Sequence, residues 1–309
     1  MTLKTAQKVV AFIDKTLKEN DTLRLEWFGG EPLLNTEVID FISSKIQNIC
    51  TNKRCILDGL LITNGSLVTR EVAEKIKNEW SIGLVQITLD GFEEDYERAK
   101  KYNDSESHNF YRVIDSIELL LDAGVKVSIR MNYDTTNYES LRKLIEFLHV
   151  KFISRSNISY YVYPIWSSEH FTSNTEADEN LIRLFELLIR NKMGTIRKIA
   201  RLGYKRNACQ SWHENTYTIL PDGQISKCCE VFNQTIGNLD DGIVDKQTFA
   251  FWTNHDIEEK CDNCIYLPMC QGGCKASHFN RMPQCFALKP IMNSFLQWYV
   301  DFMDDIQKN

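Results

Sequence analysis

The chain has 309 residues, with 36 Lys and Arg against 42 Asp and Glu, so its formal net charge is −6. Hydrophobic residues make up 43%, charged residues 25%, and Gly 14 and Pro 6 are low counts, which excludes disorder, collagen-like repeats and coiled coil. The mild acidity argues against nucleic-acid binding, which needs a basic face, and no window approaches the roughly 18 consecutive apolar residues of a membrane span.

The N-terminus opens directly into an amphipathic helix over 4–19, with Val9, Val10, Phe12, Ile13 and Leu17 on its apolar stripe. Leu23 to Phe28 alternates as a strand and stops at Gly29-Gly30. A helix follows near 36–49, opened by Asn35 or Thr36. Ile56 to Ile62 reads as a second strand, 69–79 as a helix, and Leu84 to Leu89 as a third strand. Helix 109–123 stops at Gly124, Val125 to Met131 is a fourth strand, 137–149 a helix, and Ile158 to Tyr163 a fifth strand. This alternation predicts an α/β fold with parallel strands and crossover helices. Residues 166–180 read as a polar loop, followed by helices near 178–191 and 195–205. From 209 the strands shorten, with a Pro221-Asp222-Gly223 turn between two of them, and the chain ends in a helix over about 287–307.

Lacking an apolar leader core and a small-residue cleavage site, the start reads as that of a cytoplasmic chain, a compartment where disulfides rarely persist. That sharpens the one abnormal count, ten cysteines, of which only Cys50 and Cys55 precede residue 209. Cys209 is followed by Gly223 and Cys228, then by Cys261, Cys264, Cys270 and Cys274, then by Cys285. Thiolates packed this densely point to a metal centre; soft sulfur donors select zinc, copper(I) or iron–sulfur clusters. A zinc ribbon would close with the four thiolates of 261–274 and leave Cys209, Cys228 and Cys285 idle. Two iron–sulfur clusters would use all seven.

A second set of residues sits at the strand ends, where chemistry gathers in parallel α/β folds. These are Phe28-Gly29-Gly30-Glu31-Pro32, Thr63-Asn64-Gly65, Thr88-Leu89-Asp90-Gly91 and Arg130-Met131-Asn132. Glu31 suits an ammonium group, and the planar fork of Arg130 suits a carboxylate.

Gly29-Gly30-Glu31-Pro32 resembles the GGEP motif of the radical SAM enzymes, and the cysteine series resembles the SPASM extension of a subgroup of them. The resemblance implies a partial parallel β/α (TIM-like) barrel over 1–190 and a small iron–sulfur SPASM domain over 191–309. It implies that Gly29, Gly30, Glu31, Pro32, Asn64, Thr88, Asp90, Arg130 and Asn132 contact S-adenosylmethionine. It further implies two auxiliary [4Fe–4S] clusters, one on Cys261, Cys264, Cys270 and Cys285, the other on Cys209, Cys228 and Cys274. The fourth position of the second is either Cys229 or open, and the spacing favours the open site.

The family's Cys-x3-Cys-x2-Cys motif, whose cluster cleaves the cofactor to a 5′-deoxyadenosyl radical, is absent from these 309 residues. The expectation is an N-terminally truncated chain that starts after the first barrel strand and cluster loop and cannot itself cleave the cofactor. The parent activity implied is oxidative radical modification of a ribosomally made peptide, for instance thioether formation, with a ferredoxin or flavodoxin as reductant. Two alternatives stay open. One is an anaerobic sulfatase-maturating type of enzyme, against which Cys229 stands where those enzymes place an aspartate. The other is a non-catalytic iron–sulfur partner that binds peptide or transfers electrons.

Overall fold

The computed structural model describes residues 1–100, 109–165, 175–199, 209–279, 285 and 288–308. In chain order the elements are α1 (Leu3–Thr16), β1 (Thr22–Trp27), α2 (Thr36–Lys53), β2 (Ile56–Thr63), α3 (Arg70–Asn78) and β3 (Leu84–Thr88). Next come α4 (Glu93–Lys100), α5 (Asn109–Asp122), β4 (Lys126–Tyr133), α6 (Tyr138–Phe152), β5 (Ile158–Pro164), α7 (Thr175–Arg190) and α8 (Ile196–Ile199). The cysteine-rich region adds β6 (Thr218–Ile219), β7 (Gln224–Ser226), β8 (Thr235–Asn238), β9 (Gly242–Ile243), α9 (Lys246–Thr253), α10 (Leu267–Cys270) and α11 (Met292–Lys308).

The strands form two sheets, one in the order β1-β2-β3-β4-β5 and one in the order β6-β7-β8-β9. In the first, β1 runs parallel to β2 from Thr22↔Ile56 to Trp27↔Leu61, and β2 runs parallel to β3 from Leu60↔Leu84 to Thr63↔Ile87. The second is antiparallel, with Ile219 opposite Ile225 across the Pro221-Asp222-Gly223 turn. The alternation of strand and helix expected from the sequence is therefore the observed α/β architecture.

The chain divides into two compact units. Unit 1 comprises Met1–Ile87, Tyr111–Ser128 and Cys209–Asp256; unit 2 comprises Thr88–Phe110, Ile129–Ala208 and Ile257–Asn309. In unit 1, α1 and α2 bury Ala6, Val9, Val38, Ile42, Ile46 and Cys50 in one apolar cluster, with Leu23, Leu25 and Trp27 of β1 packed against it. The alternating exposure along β1 is the period-two pattern of a strand with one covered face. In unit 2, α7 meets α11 through Phe185 and Phe295, whose ring centroids stand 5.9 Å apart edge to face. Trp298 Nε1 donates to Glu186 Oε2 at 3.2 Å beside that contact.

Several element ends differ from the sequence expectation, each for a local reason. Helix α1 stops at Thr16 rather than 19, because Asp21 Oδ2 takes the Lys18 backbone N–H at 2.9 Å and turns the chain toward β1. Helix α2 runs on to Lys53 and closes when left-handed Arg54 donates its N–H to Cys50 and Thr51. Helix α4 has no apolar stripe to announce it. Helix α7 starts at Thr175, inside the stretch expected to be a loop; 166–174 lie outside the described residues. Of the helix expected over 195–205, Ile196–Ile199 is observed and 200–205 lie outside the described residues. The C-terminal helix begins at Met292, because Pro290 shapes a preceding 3-10 turn over Lys289–Ile291.

Candidate functional site

In unit 1, β1 delivers Phe28-Gly29-Gly30-Glu31-Pro32 and β2 delivers Thr63-Asn64. Glu31 ties the two together. Its Oε1 accepts from Leu33 N at 3.0 Å and from Thr63 Oγ1 at 2.7 Å, and its Oε2 accepts from Asn64 N at 2.8 Å. The carboxylate is thus fixed by three donors and keeps lone pairs for a further one. Pro32 opens the 3-10 turn after it, where a missing N–H costs nothing. Gly29 and Gly30 are exposed, and a Cβ on either would meet nothing within 4 Å. Asn64 Oδ1 accepts from Ser66 N at 2.8 Å, which holds the turn after β2.

Unit 2 gathers Asp90, Arg130 and Asn132, and adds two residues that carry no motif. Arg130 Nε donates to Asn132 Oδ1 at 2.7 Å, and Asn132 Nδ2 donates to Asp90 Oδ1 at 2.8 Å. Lys100 Nζ pairs with Asp90 Oδ2 at 2.8 Å, with both side chains about one-fifth exposed. The Arg130 guanidinium stacks on the Tyr163 ring, 4.7 Å from its centroid. Its terminal nitrogens make no hydrogen bond among the described residues, so two donors of the fork are free for a carboxylate. Thr88 ends β3 half-buried. Sequence reading missed Lys100 and Tyr163; the latter's place at the end of a strand was the available signal.

All ten cysteines are free thiols. In unit 2, Cys261, Cys264, Cys270 and Cys285 share one neighbourhood. Burial pushes the Cys261 thiol up, and the charges of Cys270 and Cys285 push it further. Lys289 Nζ donates to Cys285 Sγ at 3.2 Å. That bond holds the Lys289 ammonium charged, with lesser help from Cys264 and Cys270. Between Cys270 and Cys274 the chain runs through Gln271, Gly272 and Gly273 at φ 52°, 87° and 86°, a left-handed run that two glycines make accessible. Cys274 follows at the head of a 3-10 turn. Among the described residues, no three His, Cys, Asp or Glu side chains stand close enough to chelate a single ion.

In unit 1, Cys209 is exposed and leads into a 3-10 turn, while Cys228 follows β7. Cys228 Sγ accepts from Glu230 N at 3.4 Å. The neighbouring Cys229 thiol pulls Cys228 down to about 6, and Cys228 together with burial pushes Cys229 up. In unit 2, His278, which follows Cys274 in sequence, has its Nε2 3.4 Å from Glu258 Oε1. Cys50 and Cys55 belong to the α1–α2 packing.

Residues 2–148 match the family model of the radical SAM superfamily. Over these residues, just under half of the chain, the sequence is similar to a radical SAM domain. A curated relative, the radical SAM cyclopropyl synthase TigE of Paramaledivibacter caminithermalis, is 20% identical over 303 residues; the match covers 87% of this chain and 59% of TigE. The chain thus spans under two thirds of that relative's length. A solved structure of AdoMet-bound native anSMEcpe superposes with a TM-score of 0.68 at 15% identity, covering 99% of this chain and 91% of that one. SuiB of Streptococcus suis bound to S-adenosylmethionine superposes with a TM-score of 0.57 at 17% identity, covering 94% and 70%. These likenesses identify the sheet of the radical SAM domain as a TIM-like partial barrel. Glycine-rich Gly29-Gly30 and strand-end Arg130 both lie inside the matched range. The family brings with it S-adenosylmethionine and iron–sulfur cofactors. Among the described residues, no helix is long and apolar enough to cross a membrane.

Proposed function

We propose that this chain is part of a cytoplasmic peptide-modifying radical SAM/SPASM enzyme, with the SPASM region over 191–309 holding two auxiliary [4Fe–4S] clusters. The observation that supports this reading is that Cys270 and Cys285 act electrostatically on Cys261, and Cys285, Cys264 and Cys270 on Lys289; the resemblance assigns Cys274 to the second set with Cys209 and Cys228. The donor chemistry fits a cluster. Soft thiols are the donors that iron–sulfur clusters take. The peptide complex of anSMEcpe supports a peptide or protein substrate.

The chain's own residues then divide the work. Arg130, stacked on Tyr163 and held by Asn132, offers two N–H donors to the cofactor's carboxylate. Glu31, held by Thr63 and Asn64, offers remaining lone pairs to its ammonium. Gly29 and Gly30 leave the backbone open to close approach, and Asn64, Thr88 and Asp90 complete the strand-end contacts. When bound beside a reduced cluster, S-adenosylmethionine supplies hydrogen-abstraction chemistry; a ferredoxin or flavodoxin is the reductant class. The resemblance places Cys229 where sulfatase maturases carry an aspartate, which disfavours that alternative.

The test is anaerobic reconstitution of the chain with iron and sulfide, followed by metal and sulfide analysis. The expected result is about eight irons per chain, two cubanes. One tightly bound zinc with no iron after the same treatment sinks the reading.

A further inference from the structure

We propose that Asn137 is a positioning residue for the cofactor site, its side-chain amide tying together the two strand ends that carry Asp90 and Asn132. The inference rests on the cofactor reading of Asp90, Arg130 and Asn132 proposed above. Asn137 occupies the N-cap of α6. Asparagine is favoured there because its side-chain oxygen accepts from an N–H of the first helical turn. Asn137 makes no such bond and leaves its own helix uncapped. The amide is used elsewhere. Its Nδ2 donates to Asn132 O at 2.8 Å and to Asp90 O at 3.3 Å, and its Oδ1 accepts from Asp134 N at 3.0 Å. Both N–H groups and the oxygen of the side chain are therefore engaged, all in partly buried bonds.

These bonds fall just past a main-chain one. Leu89 N donates to Arg130 O at 2.9 Å, and one residue on from Leu89 the chain has left β3 at Asp90, while Asn132 still belongs to β4. The Asn137 amide spans that step. Two carbonyl oxygens converge on its NH2, and without it they would face one another with no donor between them, a costly arrangement away from bulk water. Helix α6 holds the same loop a second time: buried Ser140 accepts at Oγ from Phe92 N at 2.9 Å. Gly91 passes so close to α6 that a Cβ there would stand 2.8 Å from Ser140 Oγ. The backbones of Asp90 and Asn132 are thereby fixed relative to each other. Their side chains can then bond at 2.8 Å, and Asn132 can hold Arg130 Nε at 2.7 Å. A residue kept only to cap α6 would aim its oxygen at α6.

The experiment uses the full chain, reconstituted anaerobically, as wild type, N137S, N137D, N132A, N137S/N132A and R130A. The probe is S-adenosylhomocysteine, and isothermal titration calorimetry reads affinity and stoichiometry. Serine and aspartate are both good N-cap residues, and neither offers the two N–H donors of the amide. N137S and N137D are expected to bind about tenfold more weakly at unchanged stoichiometry. In N137S/N132A the combined loss is expected to fall short of the product of the two single losses, because both residues act on one hydrogen-bonded chain. Wild-type affinity in N137S and N137D overturns the proposal and leaves Asn137 a structural residue. Lower stoichiometry at unchanged affinity, the mark of partly unfolded protein, overturns it too, as do losses that multiply in full in the double variant. If wild type does not bind, or R130A and N132A bind as tightly as wild type, the cofactor reading of these residues fails and this inference falls with it.

Discussion

The guanidinium carbon of Arg130 sits over the ring of Tyr163, 4.7 Å from its centroid, while its Nε is held by Asn132. The stack and the hydrogen bond together leave one edge of the fork for a ligand, and they fix it before any ligand arrives. Preorganisation of this kind lowers the ordering cost of binding. Y163L and N132A are each expected to weaken S-adenosylhomocysteine binding about tenfold, roughly 1.4 kcal/mol. Y163F, which keeps the ring, retains most of it. Isothermal titration calorimetry on folded protein measures this; wild-type affinity in Y163L would mean that the stack positions nothing.

Glu31 makes three hydrogen bonds, two of them to backbone N–H groups. Hydrogen bonds to a charged acceptor contribute about 1.5–3 kcal/mol. E31Q turns an amide NH2 toward a donor at one of these positions. It is expected to destabilise unit 1 by about 2 kcal/mol, and T63V by about 1. Urea unfolding monitored by fluorescence checks both. Equal stability of E31Q and wild type would show that the carboxylate is held for the ligand alone.

The cysteine assignments separate cleanly by variant. C261S, C264S, C270S and C285S are each expected to lose up to about four of eight irons, and the same four in every case. C50S and C55S are expected to lose none. C229S distinguishes an open fourth position from a thiolate-closed one: iron retained at the wild-type level, with an unchanged spectrum, means that the position is open. Loss of a different cluster in C270S than in C261S would break the grouping.

Much of this was readable in the sequence, and the rest was not for identifiable reasons. Gly29-Gly30-Glu31-Pro32 and the cysteine spacing are local, and spacing alone announces them. The five strands announced themselves through alternation ended by turn residues. Lys100 and Tyr163 belong to no motif, and only the fold brings them to Asp90 and Arg130. Helix α4 escaped notice because its eight residues are nearly all charged, with Tyr96 as its one buried side chain. Lys227 is buried, and nothing in Ser226-Lys227-Cys228 announces it. Its burial depends on three carbonyls donated by a segment more than ten residues upstream.

Gly59 marks the closest approach of β2 to the turn that precedes β3. A Cβ there would stand 2.5 Å from Ser81 O and 2.9 Å from Ile82 Cα, both backbone atoms that cannot swing aside. G59A is therefore expected to destabilise the chain by about 1–3 kcal/mol, the usual cost of forcing an extra carbon into a packed site. A melting temperature unchanged from wild type would mean that the 80–83 turn yields freely.

The N-terminus of α9 gives a pH-dependent prediction with a definite sign. Asp245 caps the helix: Oδ1 accepts from Thr248 N at 2.9 Å and Oδ2 from Thr248 Oγ1 at 2.7 Å. The backbone bond first, and the hydroxyl second, hold its carboxyl below the ordinary carboxylate value. A depressed folded-state value means that the unfolded chain binds the proton more readily. The stabilisation is therefore complete above the unfolded value of about 3.9 and disappears as pH falls through the lower folded value. D245N keeps an acceptor oxygen at the cap but carries no charge. Wild type is expected to melt above D245N at pH 7, and the gap is expected to close between about pH 5 and pH 2. D245A, with no acceptor, melts below both at neutral pH. A gap between wild type and D245N that stays constant across this range would show that the cap acts through shape and not through charge.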